Sequence, residues 1–337
     1  MAGRSSKELV RDLFQLRELE RVPFIPWVCS FAAQLEQIPV EAMLSDAGLL
    51  SRSLLNAQAL FRYDAIANVF DPSLEAEACG CAIDWSQGGG LPRVASHPLS
   101  EGAGIEDIDI STLENQGRLP AILEATKRLV VVKGEELAVA GVITGPLTLA
   151  RHLRGEAFAA DLAQGAEDAA KVVTLAGDIA LRLCRRYCEL GVDLVVVAEE
   201  MLGQIQPGRY QAVAASLRSI WNVARFYDVH SLLLTRGCAE EHIEPAFELK
   251  ADGVVLSGHT DCRQVRDAAQ KRRCCYAGCI PSSTLLGTPA EVRDAAVASL
   301  SERGRGFFLS TEWEIPYAAS VNNMHELTRV IQDNRYS

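Results

Sequence analysis

Two adjacent carboxylates, Glu199 and Glu200, directly follow an apolar run that is typical of a buried strand. Desolvation and a neighbouring carboxylate both raise the pKa of such a group, which can then act as an acid or a base. Glu312 follows the last apolar run of the chain and is a candidate for the same positional reason. We therefore interpret Glu199, Glu200 and Glu312 as candidate catalytic residues, with at least one of the adjacent pair expected to be functional.

Arg236 follows a further apolar run, where a guanidinium must pair with an acid to offset its desolvation. It is expected either to bind a carboxylate or phosphate of a substrate or to form an internal ion pair. The internal partners would be Glu199, Glu200 or Glu312. The other candidate substrate-binding residues share this position after a predicted strand: Cys29, Asp71, Ser257 and Trp313.

Three further side chains with metal-binding chemistry follow predicted strands: Cys29, His259 and Cys279. Together with one of the adjacent carboxylates they offer the ligand types that zinc accepts. A zinc site built from them is therefore one interpretation. Because no ligand spacing supports it, the sequence favours an arrangement of rim residues without a metal. His152 is expected at the surface.

The elements that position these residues alternate between short apolar runs and longer stretches of helical period. This alternation predicts βα units and a parallel sheet. Eight strands are predicted: Phe24–Cys29, Ala65–Phe70, Ala138–Ile143, Asp193–Ala198, Ser231–Leu234, Gly253–Leu256, Cys275–Ala277 and Gly306–Leu309. The pattern indicates a single (β/α)8 barrel with an N-terminal helix and an insertion, residues 71–137, between strands 2 and 3. In such barrels the chemistry lies at the carboxyl ends of the strands.

The composition sets limits on function. A net charge of −11 disfavours nucleic-acid binding, which needs clustered Lys and Arg. The segment Met1–Glu20 lacks an apolar stretch long enough for a signal peptide or a membrane span, so we expect a cytoplasmic protein with no membrane partner. Its ten cysteines are then expected to be reduced thiols.

Several motifs occur in the order of a known superfamily. They are Gly145-Pro146-Leu147-Thr148-Leu149-Ala150 followed by His152-Leu153-Arg154-Gly155, then Glu75 to Cys81, Pro281-Ser282-Ser283 with Leu286 to Pro289, and Ile315-Pro316 with Asn322. On these residues the chain resembles the uroporphyrinogen decarboxylase-like (URO-D) superfamily. The resemblance implies that residues 1–337 form one URO-D-like (β/α)8 TIM-barrel domain.

Two departures from the superfamily's patterns bear on activity. True decarboxylases carry an arginine-rich segment after the first strand, and the stretch Trp27–Gln34 has no arginine. The chain is therefore closer to the corrinoid and coenzyme M methyltransferase branch, which holds zinc with His-x-Cys after the fifth strand and a Cys after the eighth. Those positions carry Leu234, Arg236 and Trp313, so the family's zinc site is not expected here.

The resemblance implies a methyltransferase or demethylase that moves a methyl group between a methylated small molecule and a corrinoid carried by a separate protein. Two alternatives stay open: a non-catalytic or ligand-binding paralogue, and decarboxylation of a carboxylated substrate. A homodimer is expected by analogy with the family.

Overall fold

The computed structural model describes residues 4–86, 89–256 and 260–334. Eight parallel strands form a nearly closed barrel surrounded by helices, which confirms the predicted (β/α)8 architecture. Numbered in chain order without a small ribbon in the insertion, the strands are β1 Phe24–Trp27, β2 Ala65–Ala67, β3 Ala138–Thr144, β4 Leu194–Glu199, β5 His230–Thr235, β6 Gly253–Val255, β7 Cys275–Ile280 and β8 Phe307–Glu314. Each of β2 to β7 pairs with its successor, and β8 pairs with β1.

Helices connect these strands. They are Ser6–Phe14, Ser30–Glu36, Val40–Ser45, Ala47–Phe61, Leu74–Ala78, Leu119–Lys133, Pro146–Arg154, Phe158–Gln164, Glu167–Leu190, Gln211–Phe226, Ile243–Glu248, Cys262–Arg272, Ser282–Leu285, Pro289–Ser301 and Val321–Asp333. The helix Glu167–Leu190 illustrates the predicted alternation of helices and strands. Its apolar stripe is buried, and it ends at Gly191, whose φ of 87° is left-handed. The strand β4 that follows is buried at every position. None of the helices in the described ranges has the length and apolar character that a bilayer crossing requires.

Asp64 links the first two strands at the amino end of the barrel, where a regular ladder is lacking. Its buried carboxylate accepts hydrogen bonds from both Nη atoms of Arg21 (2.7 and 2.5 Å), from Ser6 Oγ (2.6 Å) and from the Phe24 N–H (2.8 Å). The Asp64 N–H in turn donates to the Phe24 carbonyl at 2.8 Å. One acidic residue therefore joins the N-terminal helix, β1 and β2.

The last two strands extend further than the sequence predicts. β7 runs to Ile280 and β8 to Glu314, so Cys279, Glu312 and Trp313 lie on strands and not in the loops beyond them. Hydroxyl groups allow this extension: Ser310 Oγ donates to the Ile25 carbonyl at 2.7 Å, and Thr311 Oγ1 accepts from the Trp27 N–H at 3.1 Å. These bonds span the point where the pairing of β1 with β8 shifts register.

The insertion between β2 and β3 covers part of the carboxyl end of the barrel. It contains an antiparallel ribbon that pairs Ile83–Asp84 with Arg93–Val94. Gly89 has a φ of 112°, and a Cβ there would lie 2.5 Å from Cε1 of Tyr317. A side chain at this position would therefore collide with the segment that follows β8.

Candidate active site

A cavity of about 750 Å³ opens at the carboxyl ends of the strands, where the fold predicts the chemistry. The cavities around the opposite end are smaller, at 340 to 440 Å³. The charged, histidine and hydroxyl-bearing side chains of its lining come from the insertion and from segments that follow β1 to β5 and β8: Ser30, Ser73, Arg93, His97, Arg151, His152, Glu156, Glu200, Arg236, Glu314 and Tyr317. Trp313 adds an aromatic wall.

Glu200 and Arg236 lie next to each other in the lining of this cavity. Nη1 of Arg236 lies 3.8 Å from Oε1 of Glu200, which is the internal pair that the sequence left open. The guanidinium also lies 5.8 Å from the ring centroid of Trp313, in cation–π range. Burial raises the pKa of Glu200, and the positive charges of Arg236 and Arg151 lower it.

Glu199 points away from the cavity and holds the helix Pro146–Arg154. Its fully buried carboxylate accepts hydrogen bonds from the backbone N–H groups of Leu147 (2.8 Å), Thr148 (2.9 Å) and Met201 (3.3 Å), and from the Thr148 hydroxyl. Burial raises the pKa of Glu199 to about 7, against the lowering effect of these hydrogen bonds. The two adjacent carboxylates therefore have different roles. Glu200 lines the cavity, and Glu199 accepts hydrogen bonds from the otherwise unpaired N–H groups at the start of the helix.

Glu312 and Cys279 lie together on the β7 and β8 side of the barrel. The carboxylate of Glu312 accepts a hydrogen bond from the Ser282 N–H at 3.3 Å. The Cys279 thiol donates to the Leu256 carbonyl at 2.8 Å. Burial, with the charges of Cys262 and Glu312, raises the pKa of this thiol well above its ordinary value. Neither Glu312 nor Cys279 is among the described residues that line the cavity.

Asp71 and Cys29 lie behind the cavity wall. Asp71 accepts hydrogen bonds from Arg118 Nη1 (2.6 Å), the Ser73 N–H (2.9 Å) and Ser73 Oγ (2.7 Å). Cys29 is fully buried, and this burial, followed by the charge of Glu314, raises the pKa of its thiol well above the ordinary value. Neither candidate is among the described residues that line the cavity, and Asp71 holds one of them, Ser73.

Glu314 lines the cavity and was missed by the sequence interpretation, which ended the last strand too early. It is 8% exposed and accepts a hydrogen bond from the Ser30 N–H, and no basic side chain in the described ranges forms an ion pair with it. Burial raises the pKa of Glu314 to about 8, and the charge of Asp71 adds to this effect. Its carboxyl group is therefore mostly protonated at neutral pH. No local pattern of the sequence marks it, because β8 reaches Glu314 through the bonds of Ser310 and Thr311 to β1.

His152 is a second missed residue, and the expected surface position was wrong. It lies in the cavity wall, and its Nε2 atom is buried without a hydrogen-bond partner in the described part of the chain. Burial, with the positive charge of Arg151, lowers the pKa of His152 to about 4. The hydroxyl of Ser30, also in the lining, is likewise buried and unpartnered among the described residues. Two residues of the lining thus each carry a buried polar atom that has no partner among the described residues.

Ser257 and His259 lie outside the described residues. Within residues 4–86, 89–256 and 260–334, no group of three or more His, Cys, Asp or Glu side chains is arranged to hold a metal. The relocated zinc site of Cys29, His259 and Cys279, the interpretation that the sequence did not favour, is accordingly not tested.

The uroporphyrinogen decarboxylase (URO-D) family model matches residues 5–333, nearly the whole chain. The chain belongs to the URO-D family. Two curated relatives are named methylcobamide:CoM methyltransferase MtbA. The protein from Methanosarcina acetivorans is 23% identical over 297 residues, which cover 84% of this chain and 86% of that protein. The protein from Methanosarcina mazei is 26% identical over 155 residues, or 46% and 45% of the two chains.

Two solved structures share the fold of this URO-D family chain. A methyltransferase from Methanosarcina mazei superposes with a TM-score of 0.87 at 16% identity and covers 98% of this chain and 99% of its own. A B12-independent methionine synthase from a Shewanella species gives a TM-score of 0.52 at 12% identity, with 83% and 84% covered. At these identities the likeness concerns the barrel.

The positions that the resemblance assigns to zinc do not fit a metal in this URO-D family member. Leu234 is fully buried on β5, and Arg236 and Trp313 stack on one another at the mouth. Zinc needs thiolate, imidazole or carboxylate ligands, whereas these three side chains offer a hydrocarbon, a permanent cation and an indole. These three positions therefore cannot hold a zinc ion through their side chains.

Proposed function

We propose that this chain transfers a methyl group from a methylated small molecule to a corrinoid carried by a separate protein. The names of the two curated relatives, with the family membership, support the reaction class. The single observation that carries the proposal is the buried carboxyl group of Glu314 in the wall of the cavity at the barrel mouth, where burial raises its pKa to about 8.

The chain's own contribution is acid catalysis and positioning. The corrinoid of the carrier protein supplies the nucleophile that takes the methyl group. When the bond between the methyl carbon and its oxygen or nitrogen breaks, the leaving atom keeps the electron pair and takes the proton of Glu314. Neutralising that atom removes the charge that would otherwise develop in a poorly solvated cavity. Solvent then returns a proton to Glu314.

The remaining candidates take supporting roles in this proposal. Of the three carboxylates Glu199, Glu200 and Glu312, only Glu200 lines the cavity, and it lies beside Arg236. We assign Glu200 and Arg236 to substrate binding against Trp313. Glu199 is assigned to holding the helix Pro146–Arg154, whose residues Arg151 and His152 line the cavity.

The test is methyl transfer to reduced cobalamin on purified carrier proteins, followed through the cobalamin spectrum with a panel of methylated oxygen and nitrogen compounds. We expect transfer whose rate is flat at neutral pH and falls about tenfold per pH unit above pH 8, because the acid must be protonated. Glu314→Gln should lower the rate about 10²- to 10⁴-fold and remove the pH dependence. Glu135→Gln, an exposed carboxylate before β3, is the matched control.

Two other outcomes would contradict the proposal. Ligand binding without any spectral change across donors and carriers would indicate a binding paralogue. Release of CO₂ from a carboxylated compound, with no methylation of cobalamin, would indicate a decarboxylase in which Glu314 protonates the carbon left behind.

A further inference from the structure

Two arginines of this chain stand over tryptophan rings, and their surroundings differ. The guanidinium of Arg118 lies 4.8 Å from the ring centroid of Trp85. Its side chain is 6% exposed and bonds to Asp71 and Glu77, each at 2.6 Å. Most of its hydrogen-bonding capacity is therefore used inside the protein, as expected of a structural ion pair.

Arg236 is the contrasting case. Its side chain is 52% exposed and its ion pair in the described ranges is the 3.8 Å contact with Glu200. That distance exceeds the length of a hydrogen bond. A guanidinium carries five N–H donors in a planar fork, so Arg236 presents a set of donors to the cavity.

The backbone of Arg236 is held in place by packing, although its guanidinium is half exposed. A Cβ on Gly203 would lie 2.3 Å from the carbonyl oxygen of Arg236 and 2.5 Å from the carbonyl carbon of Gly237. The loop after β5 therefore packs backbone against backbone, and the indole of Trp313 supports the guanidinium. A cation held in this way is organised for a ligand before the ligand arrives.

The charge around the cavity also favours an anion. The whole chain carries a net charge of −11, yet three arginines line this mouth beside the carboxylates of Glu156 and Glu200: Arg93, Arg151 and Arg236. The third carboxyl group of the lining, that of Glu314, adds little negative charge, because burial raises its pKa to about 8. An entering carboxylate would thus meet more positive than negative charge at this mouth.

We propose that the small-molecule substrate carries a carboxylate, which Arg236 binds through its free N–H donors in front of Trp313. This inference rests on the proposed function, since it concerns the methyl donor of the same cavity. A carboxylate matches the single guanidinium of Arg236 better than a phosphate dianion does. Of the two other arginines in the lining, Arg151 is paired with Glu156 at 3.1 Å and Arg93 lies on the ribbon of the insertion.

The test is equilibrium binding without a corrinoid protein, so that it can succeed or fail independently of methyl transfer. The probes are 3-methoxypropanoate, its uncharged analogue 3-methoxypropanamide and inorganic phosphate. Binding is followed at the indole N–H signal of Trp313 in protein labelled with ¹⁵N-tryptophan. The signal is identified by its loss in Trp313→Phe.

We expect the propanoate to shift this signal with at least tenfold higher affinity than the amide. Arg236→Gln should remove that difference, Arg236→Lys should restore part of it, and Glu200→Gln should strengthen propanoate binding by removing a competing acid. Arg225→Gln, at an exposed arginine on the helix Gln211–Phe226, is the control and should leave both affinities unchanged.

Equal affinity for propanoate and amide, or full propanoate affinity in Arg236→Gln, would overturn the inference. Tighter binding of phosphate than of propanoate would also overturn it, in favour of a phosphorylated substrate. A failure of methyl transfer to cobalamin with these binding results intact would reject the proposed reaction and leave the carboxylate site standing.

Discussion

Replacing Arg118 with methionine should destabilise the protein far more than the same change at Arg236. Arg118→Met removes the guanidinium and keeps most of the apolar stem over Trp85. The change leaves the carboxylate of Asp71, whose side chain has no exposed surface, without its cationic partner. Breaking a buried ion pair from one side typically costs about 3–5 kcal/mol.

Two features of the structure place the expected loss of stability at the lower end of this range. Asp71 keeps two hydrogen bonds from Ser73, at 2.9 and 2.7 Å, which offset part of the lost pairing. Glu77, whose side chain is 23% exposed, can turn to water and adds at most about 1 kcal/mol. We therefore expect Arg118→Met to lower the free energy of unfolding by about 3 kcal/mol. Arg236→Met should change it by less than about 1 kcal/mol, because that side chain is half exposed and its pair is long.

The assay is urea denaturation of both variants and of the double variant Arg118→Met/Asp71→Asn. Their free energies of unfolding are compared provided that the slope of this free energy against urea concentration is the same in each protein. The double variant should recover most of the loss, since it no longer buries an unpaired charge. A loss below about 1 kcal/mol for Arg118→Met, or equal losses for Arg118→Met and Arg236→Met, would refute the distinction between a structural and a ligand-binding arginine.

Three further predictions test the scaffold. Asp64→Ala should lower the free energy of unfolding by about 3–5 kcal/mol, because it leaves Arg21 unpaired and removes the link between β1 and β2; a thermal-unfolding shift of under a degree would contradict this. Gly203→Ala should leave the circular dichroism spectrum unchanged and weaken propanoate binding, because its Cβ would displace the loop that carries Arg236; unaltered affinity would show that this loop yields freely. Glu75, fully buried and bonded to the Thr144 N–H at 2.8 Å, has its pKa raised to about 7 by burial. Its contribution to stability is present in full below about pH 4 and is lost as pH rises through 7. The free energy of unfolding of Glu75→Gln should therefore rise, relative to that of the unsubstituted protein, by at most about 1.4 kcal/mol per pH unit between pH 5 and 7. A difference between the two proteins that stays constant with pH in urea denaturation would contradict this.

The barrel could be predicted from the sequence because a parallel strand covered on both sides must be apolar along its length. Leu194–Glu199, preceded by the helix that stops at Gly191, is the clearest example. The motifs near Gly145 and Pro281 indicated the family by resemblance, because each is a short stretch that can be recognised without the fold. What local pattern could not supply is where β8 ends. Its extension to Glu314 depends on the hydroxyls of Ser310 and Thr311 bonding to β1.

The roles of the carboxylates were decided by the tertiary structure. The sequence placed Glu199, Glu200 and Glu312 at the barrel mouth, and all three lie at that end. Which carboxylate faces the cavity depends on partners far along the chain: Thr148 draws Glu199 into the wall, and Ser30, 284 residues away in sequence, holds Glu314 at the surface of the cavity. Burial and hydrogen bonding set a pKa only after such partners have met, so residue order determined the scaffold and tertiary contacts determined its candidate acid.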